Sequence, residues 1–490
     1  MRIVLPRADR DDGRRAAGGR LDKQRMDAGT AGSRTDVIEA LRKTLREHPD
    51  HADAHGQLGM LLLEQARDML HAALSQRRRA DDSARALYLE ALAHFRAVER
   101  LRPRSAQAMR FCASVLRELG DLEGARKSLT AAWGLDPHDA RAAADYAAVL
   151  TALGEPREAI GVLEQALKHH PDDPALHGEL ALVLLGNGEF ARGWDEYEWR
   201  FEMPDAAMAR SIPHRRWQGE PLGGRTVLVT SEQGIGDEIM FASCFGDLLA
   251  TAGQCIFEVS TRLTAVFARS FPSATIVTRS MAHAPAVPAQ AAVEYWTPAG
   301  SLPRVLRRSR ADFPRQSGYL HADPGRVRHW AARLADIGPG RKIGLAWTGG
   351  LPGTLRASRS LALEQLRPLL AGNDAFIALE FADCSDEVAA FNAAGDERIL
   401  WWPAAVETLE ETAAMLSALD LVISVPTATA HLAGALGKPV WVLVPALATW
   451  RYLWDGERVP WYPSMRVVRG RGEGPEGVVR RVRAALDGEG

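Results

Sequence analysis

One segment with the residue types of a catalytic loop is SEQGIGDEIMF, residues 231–241, which follows the apolar run TVLVT. Gly234 and Gly236 allow a tight turn and a close approach of the backbone to a ligand, and a helix is predicted to follow. Asp237 has two interpretations there: a general base that faces the ligand, or only the N-cap of the helix, a position that Asp favours. Because position 239 is Ile, the loop is not G-x-G-x-x-G, and a dinucleotide oxidoreductase is poorly supported.

A second loop, SVPTATAHLAGALG at residues 424–437, carries groups suited to an anion. Thr427, Thr429 and the N–H groups of the following helix would face that anion, helped by the helix dipole. His431 would lie one turn into the helix. Its plainer interpretation is a partly buried helical His bonded to a neighbouring loop.

A third loop, AWTGGLPGTLRASRS at residues 346–360, is rich in glycine and ends in Arg356 and Arg359. The planar donors of arginine suit phosphate, although arginines that are only solvated are common. Outside Asp9 and Asp11 there is no D-x-D pair. We therefore expect a cleft with one carboxylate base and several phosphate-binding groups, and neither a metal ion nor another cofactor.

The elements that position these loops alternate between strand-like and helix-like patterns from about Pro213 onward. This alternation predicts parallel sheets with helical crossovers, whose ligands bind at the carboxyl ends of the strands. The stretch from Tyr319 to Arg341 divides the strands into two groups, which predicts two Rossmann-like lobes with a cleft between them. The predicted strands are residues 226–231, 255–260, 274–279, 342–347, 375–381, 421–425 and 439–444.

The first half of the chain repeats itself every 34 residues, the period of the tetratricopeptide repeat. Three prolines and three glycines fall at this interval, and a small residue follows each glycine after five positions. The glycine suits the end of a helix, and the small residue lets paired helices approach closely. These residues are Pro103, Pro137 and Pro171, then Gly120, Gly154 and Gly188, then Ala125, Ala159 and Gly193.

The repeats predict an α-solenoid over residues 34–205, since a helical hairpin cannot bury its apolar face alone. A unit from about Asp50 to Pro103 has the same pattern with 20 extra residues. The solenoid is either a spacer or, as we favour, a groove that holds a protein. Residues 1–33 are rich in Arg, Asp and Gly and are expected to be a disordered leader.

Composition narrows the class of protein. The 60 Lys and Arg residues nearly balance the 62 Asp and Glu residues, which favours neither nucleic acid nor an anionic membrane as partner. No apolar run is long enough to span a membrane. The four cysteines are scattered, so a disulfide framework or a zinc site is not expected. We expect a cytoplasmic protein.

Together these motifs resemble bacterial tetratricopeptide-repeat proteins with a heptosyltransferase-like module of the GT-B fold, glycosyltransferase family 9 type. The resemblance covers about residues 50–470. It is densest in EFARGWDEYEWRFE, SEQGIGDEIMF, GLAWTGG, LDLVISVPTATAHLAGALGKPVWVLVP and WRYLWDGERVPWYPSMRVVR. It implies an N-terminal, acceptor-side lobe at 213–322 and a C-terminal, nucleotide-sugar-side lobe with a final helix at 340–490.

The resemblance also implies roles for individual residues. Asp237 would be the base that deprotonates the acceptor. The D-T-G-x-x-H segment that binds the donor's diphosphate corresponds to Thr427, Ala428 and His431. Arg359 corresponds to the family's basic residue and Glu380 to the group that contacts the nucleoside. The full set of donor-side residues is Gly234, Gly236, Thr348, Gly349, Arg359, Glu380, Thr427, Ala428 and His431.

The implied function is an inverting, metal-independent glycosyltransferase. It would use a nucleotide-sugar donor and a protein acceptor held by the repeats, such as flagellin or another surface protein. One alternative is transfer to a lipopolysaccharide-type acceptor. The other is a non-catalytic scaffold with a degenerate transferase lobe. Pro426 favours the scaffold, because it replaces the Asp that related proteins carry and removes a backbone N–H.

Overall fold

The structure is a computed structural model that describes residues 34–75, 82–203, 212–279, 287, 291–315, 317–349, 359–444, 449–470 and 473–488. The predicted leader, residues 1–33, and Arg356 lie outside this part of the chain. The described residues divide into two compact units, one ending at Val149 and the other beginning at Leu150.

Helices make up the described part of the repeat region, and short turns join consecutive helices from α3 to α9. The last helices belong to the second compact unit. The bounds are α1 Arg34–Glu47, α2 Ala52–Ser75, α3 Asp82–Leu101, α4 Ala106–Glu118, α5 Leu122–Leu135, α6 Ala140–Ala152, α7 Pro156–Leu167, α8 Pro174–Gly186 and α9 Phe190–Tyr197.

The repeat signature has the structural basis that its residue types predict. The three turn glycines, Gly120, Gly154 and Gly188, have φ of +85°, +84° and +80°, a region that other residues enter only with strain. Gly193 is buried, and a Cβ there would lie 2.8 Å from the Leu185 side chain. The extra residues of the early unit lie largely within helices, since α2 and α3 are 24 and 20 residues long.

The first lobe is built on a five-stranded sheet whose strands all run parallel. The order is β1-β5-β2-β3-β4, so the strand order reverses between β2 and β5. Its strands are β1 Arg215–Arg216, β2 Thr226–Thr230, β3 Gln254–Val259, β4 Thr275–Thr278 and β5 Val293–Pro298.

The second lobe is built on a six-stranded parallel sheet in the order β11-β10-β9-β6-β7-β8. Read along the chain, this is the doubly wound Rossmann order, with its switch point between β6 and β9. The strands are β6 Lys342–Ala346, β7 Ala375–Ala378, β8 Ile399–Trp401, β9 Leu421–Ser424, β10 Val440–Val444 and β11 Met465–Arg469.

The predicted fold class, a tetratricopeptide-repeat solenoid followed by two Rossmann-like lobes, is confirmed. The seven predicted strands are present, and β1, β5, β8 and β11 are additional. The remaining α-helices are α10 Ile235–Phe241, α11 Phe245–Leu249, α12 Thr264–Ser270, α13 Leu302–Leu306, α14 Pro324–Ala335, α15 Ser385–Ala393, α16 Leu409–Ala418, α17 Ala428–Ala435 and α18 Gly474–Gly488. No helix in the described part of the chain combines the length and apolarity needed to cross a bilayer.

Candidate functional site

The loop after β2 turns sharply into α10 and places Asp237 in its first turn. Gln233 has φ of +62°, a strained value for a residue with a side chain. Gly234 is the N-cap, so the helix begins two residues earlier than Asp237. One interpretation of the sequence made Asp237 the N-cap, and that interpretation is wrong. Asp237 is the third helical residue, and its Oδ2 accepts the Gly234 N–H at 3.3 Å.

The other carboxylate oxygen of Asp237 forms an ion pair across the two lobes. Arg451 lies in the loop after β10, and its Nε donates to Asp237 Oδ1 at 2.7 Å. The Nη2 of Arg451 donates to the same oxygen. Asp237 is only 9% exposed. Burial raises the pKa of Asp237, but the positive charge and hydrogen bonds of Arg451 outweigh it, and the net pKa is below the ordinary value.

The first turn of α10 rests directly on the first turn of α17, the helix that follows β9. A Cβ at Gly236 would lie 3.2 Å from Cδ2 of His431 and 3.6 Å from Cα of Ala428. Gly236 therefore permits this close approach of the two helices. The structure thus brings together residues from the two lobes. In each lobe these residues follow the carboxyl end of a strand, β2 or β9, that borders the switch point of its sheet.

His431 is buried within the second lobe, with both ring nitrogens engaged. Its Nδ1 lies 2.9 Å from the Tyr462 hydroxyl and its Nε2 lies 3.3 Å from the Tyr452 hydroxyl. Burial and the charge of Arg451 lower the pKa of His431 to about 4, so the ring is neutral at physiological pH. This arrangement matches the plainer interpretation, a helical His bonded to a loop. A contact of His431 with the donor's diphosphate stays a prediction.

The start of α17 is organised by hydroxyl groups. Thr427 is the N-cap, and its Oγ1 accepts the Ala430 N–H at 3.2 Å. Ser424 Oγ lies 2.9 Å from the same oxygen. Pro426 precedes the cap, so the N–H that proline lacks is not one of the donors in the first turn of the helix. The N–H groups of Ala428 and Thr429 belong to that turn.

The loop after β6 closes against the same helix terminus. A Cβ at Gly349 would lie 2.7 Å from the Arg359 carbonyl oxygen and 3.2 Å from that of Pro426. Glu380, just beyond β7, holds the loop, because its Oε1 accepts the N–H groups of Trp347 and Thr348 at 2.7 and 2.9 Å. Burial raises the pKa of Glu380 although these bonds oppose it. One Glu380 oxygen is thus committed to loop structure.

Two arginines and one carboxylate set the charge of this region. Burial lowers the pKa of Arg359, and the positive charge of Arg451 lowers it further, while Asp237 acts in the opposite direction. The three groups therefore interact electrostatically.

A polar cluster on the acceptor side of the predicted cleft lies at the carboxyl edge of the first sheet. Glu238 is buried, and its Oε2 accepts the Ser260 N–H at 2.8 Å. Arg279 lies 3.8 Å from Glu238 Oε1 and donates to the Gln233 carbonyl oxygen at 3.3 Å. Burial raises the pKa of Glu238. This neighbour of Asp237 is the other carboxylate of α10.

The last repeat helix supplies part of the site's support. The Trp194 ring lies edge-on to Phe241 of the first lobe and to Trp450 and Trp461 of the second. Its Nε1 donates to the Arg307 carbonyl oxygen at 3.1 Å. Arg200 lies in the 3-10 helix Glu198–Phe201, which follows α9 directly. It forms a buried ion pair with Glu232 of the loop after β2, with Nη2 and Oε1 2.9 Å apart.

Arg451 and its supporting aromatic residues were missed by the sequence reasoning. The signal was present, because the run WRYLWDG follows β10 and the carboxyl ends of parallel strands are where ligands bind. Among the described residues, no group of three or more His, Cys, Asp or Glu side chains is arranged to hold a metal ion. Independence from metal stays a prediction.

Both halves of the chain are similar to known proteins. Tetratricopeptide-repeat models match residues 73–140, 116–183 and 150–192. Protein FlbA of Caulobacter vibrioides is 31% identical over 467 residues, which span 88% of this chain and 77% of the relative. The E. coli ADP-heptose LPS heptosyltransferase II aligns at 13% identity with a TM-score of 0.35, over 54% of this chain and 99% of its own. MamA aligns at 19% identity with a TM-score of 0.27, over 34% of this chain and 85% of its own.

The alignment with FlbA covers most of both proteins, and it includes the repeats as well as the two-lobed module. The chain belongs to the family of the Caulobacter vibrioides protein FlbA.

Proposed function

We propose that the chain is an inverting, metal-independent glycosyltransferase that uses a nucleotide-sugar donor. The observation that carries the proposal is the meeting of Asp237 with Arg451 beside the first turn of α17. A carboxylate from one lobe thereby lies next to the cationic, N–H-rich edge of the other. This is the complement that sugar transfer from a diphosphate requires: a base for the acceptor and positive charge for the leaving group.

The donor's diphosphate would bind at the second lobe. The N–H groups of Ala428 and Thr429, at the N-terminus of α17, would point at its oxygens. Arg359 would add a charged donor from the loop after β6. Thr348 and Gly349 would border the donor through their backbone, in a loop held by Glu380. We assign His431 a positioning role under this helix, because both its nitrogens already have tyrosine partners.

The proposed reaction is a single displacement. Asp237 removes the proton from an acceptor hydroxyl while that oxygen forms a bond to the anomeric carbon of the sugar. The bond from that carbon to the diphosphate oxygen breaks, and the nucleoside diphosphate leaves with the electron pair. Its developing negative charge is stabilised by the start of α17 and by the arginines, a contribution that is typically large in enzymes.

The acceptor in our proposal is a protein held by the repeats, such as flagellin or another surface protein. Stacked repeats create an extended surface suited to polypeptides, which supports a protein over a small acceptor. We place the reaction in the cytoplasm. The four cysteines, all buried and none in a disulfide, suit a reducing compartment.

Two alternatives remain in different classes. A lipopolysaccharide-type acceptor would use the same site with the repeats serving another purpose. Two features favour a non-catalytic scaffold: Pro426 stands where the resemblance to the family implies Asp, and both ring nitrogens of His431 contact tyrosine hydroxyls. Binding of a nucleotide sugar discriminates, because a scaffold need show none and either transferase must show it.

The test of the proposal is a mass measurement. Candidate acceptors are expressed with the full chain, with its Asp237→Asn variant or alone, and their intact masses are compared. We expect a mass increase corresponding to a whole sugar residue only with the unchanged chain. An identical increase with Asp237→Asn would remove Asp237 from the mechanism. No nucleotide-sugar binding by calorimetry, across the common donors, would favour the scaffold.

A further inference from the structure

We propose that Arg451 couples donor binding to activation of Asp237. In this inference, which rests on the proposed function, the arginine exchanges its carboxylate partner for the donor's diphosphate. The exchange releases the oxygen of Asp237 that must accept the acceptor's proton. Arg451 would thus both hold the donor and gate the base.

The geometry of the ion pair is the first step. Arg451 Nε and Nη2 both donate to Oδ1 of Asp237, and the Gly234 N–H occupies Oδ2. Both side chains are largely buried, with 15% and 12% of their surface exposed. A carboxylate held by a guanidinium in this way is a weak base, because protonation would break a buried pair. For Asp237 to act as a base, Arg451 must find another anion.

The second step is the position of that pair beside the start of α17. Gly236, in the same helical turn as Asp237, packs against Ala428 and His431, and the hydroxyl of Tyr452, the neighbour of Arg451, lies 3.3 Å from His431 Nε2. A diphosphate at the N-terminus of α17 would therefore bind close to Arg451. It would compete with Asp237 for Arg451, since Arg binds phosphate and carboxylate through the same planar donors.

The third step is the support of the Arg451 segment: because neighbouring residues hold its backbone, the exchange we propose needs only rotation of the side chain. Trp454 bonds the last repeat hairpin on one side, its backbone N–H donating to the Gly186 carbonyl oxygen at 2.8 Å and its Nε1 to that of Val183 at 3.0 Å. Trp450 is clamped by Trp194 on the other side. The guanidinium lies over the face of Trp450, with its Cζ 4.6 Å from the ring centroid.

The test uses inorganic pyrophosphate, a diphosphate that needs no knowledge of the sugar or nucleoside. Calorimetry on the full chain compares the unchanged protein with Arg451→Gln, Asp237→Asn and the double variant. We expect Arg451→Gln to weaken binding at least about tenfold, as loss of a charged hydrogen-bond donor should. We expect Asp237→Asn to bind severalfold more tightly, because the competitor for Arg451 is gone.

The double variant separates exchange from simple repulsion. If Arg451 moves between the two anions, the gain from Asp237→Asn should disappear when Arg451 is already Gln. A gain of the same size in both backgrounds would mean that Asp237 merely repels anions, and would overturn the inference. Unchanged affinity in Arg451→Gln would overturn it as well. Arg308→Gln, which alters an exposed arginine paired with Asp195, is the matched control and should leave affinity unchanged.

A replacement variant and the transfer assay complete the experiment. If Arg451→Gln does not fold, Arg451→Lys replaces it, with an expected loss of at least about threefold because a point charge cannot reproduce the planar fork; unchanged affinity overturns the inference. Absence of sugar transfer with a non-additive pyrophosphate cycle would reject the proposed function alone. Intact transfer with an additive cycle would reject only the coupling.

Discussion

The indole rings of Trp194 and Trp450 lie edge-on at 5.6 Å between centroids, with an angle of 85° between their planes. Trp194 belongs to the last repeat helix, and Trp450 immediately precedes the arginine that pairs with Asp237. The final repeat hairpin is therefore a supporting part of the site as well as the end of the repeat array. Gly186 shows how closely it fits, since a Cβ there would overlap the Trp454 ring.

The contact between Trp194 and Trp450 predicts which fragments of the chain can fold on their own. Residues 150–490 should fold alone, because the second compact unit begins at Leu150. Residues 206–490 lack α9 and would expose the apolar faces of Phe241, Trp450 and Trp461, so we expect aggregation or loss of cooperative unfolding. Circular dichroism with thermal melting of both fragments checks this. Equal, sharp melting transitions would show that the repeat hairpin is dispensable.

Asp237→Asn should reduce transfer at least about 10²-fold, because a positioned general base contributes typically 10²–10⁴-fold. The Asn side-chain oxygen can still accept the Gly234 N–H at the third helical position, so the fold should survive, with a lower free energy of unfolding because the ion pair with Arg451 is lost. Transfer is measured at saturating donor, with thermal stability as the control. Glu238→Gln is the matched variant on the same helix and should keep more activity. Near-full activity in Asp237→Asn would point to another base.

The pH dependence of transfer should shift when Arg451 is removed. Asp237 acts in its ionised form, and Arg451 holds its pKa below the ordinary value, so the acid limb of kcat/KM should lie low. In Arg451→Gln burial acts unopposed by that charge and raises the pKa, so activity should fall at a higher pH. Profiles of kcat/KM from about pH 4.5 to 8 check the sign. Parallel profiles would contradict it.

The buried pair of Arg200 and Glu232 should matter for stability. Glu232 also accepts the Gly300 N–H, and both charged side chains are only 3% exposed. Glu232→Ala leaves Glu198 as the other carboxylate partner of Arg200 and removes the acceptor of the Gly300 N–H, so we expect a cost of about 3 kcal/mol in the free energy of unfolding. Urea denaturation measures it. The control is Asp195→Ala, which removes two exposed ion pairs, with Arg304 and Arg308, and should cost about 1 kcal/mol.

Local patterns in the sequence determined most of the architecture. The 34-residue period, the turn glycines and seven apolar strand runs depend on neighbours a few residues apart, and each held in the structure. Three of the four missed strands are short or interrupted by charge: β1 has two residues, β8 has three, and the edge strand β11 carries two arginines among its five residues. The fourth, β5, has the sequence VEYWTP, a β-rich pattern that could have been found. Their pairing depends on the sheet that receives them.

The candidate site, too, could be predicted from the sequence only in part. The loops around Asp237, Gly349 and Thr427 could be found from the sequence, because glycines and hydroxyl residues after a strand have local causes. Only the tertiary structure decided that Asp237 pairs with Arg451, 214 residues away, and that His431 turns into a tyrosine cluster. Those contacts depend on two lobes and a repeat helix packing together, and no short-range pattern encodes the distance between residues so far apart along the chain.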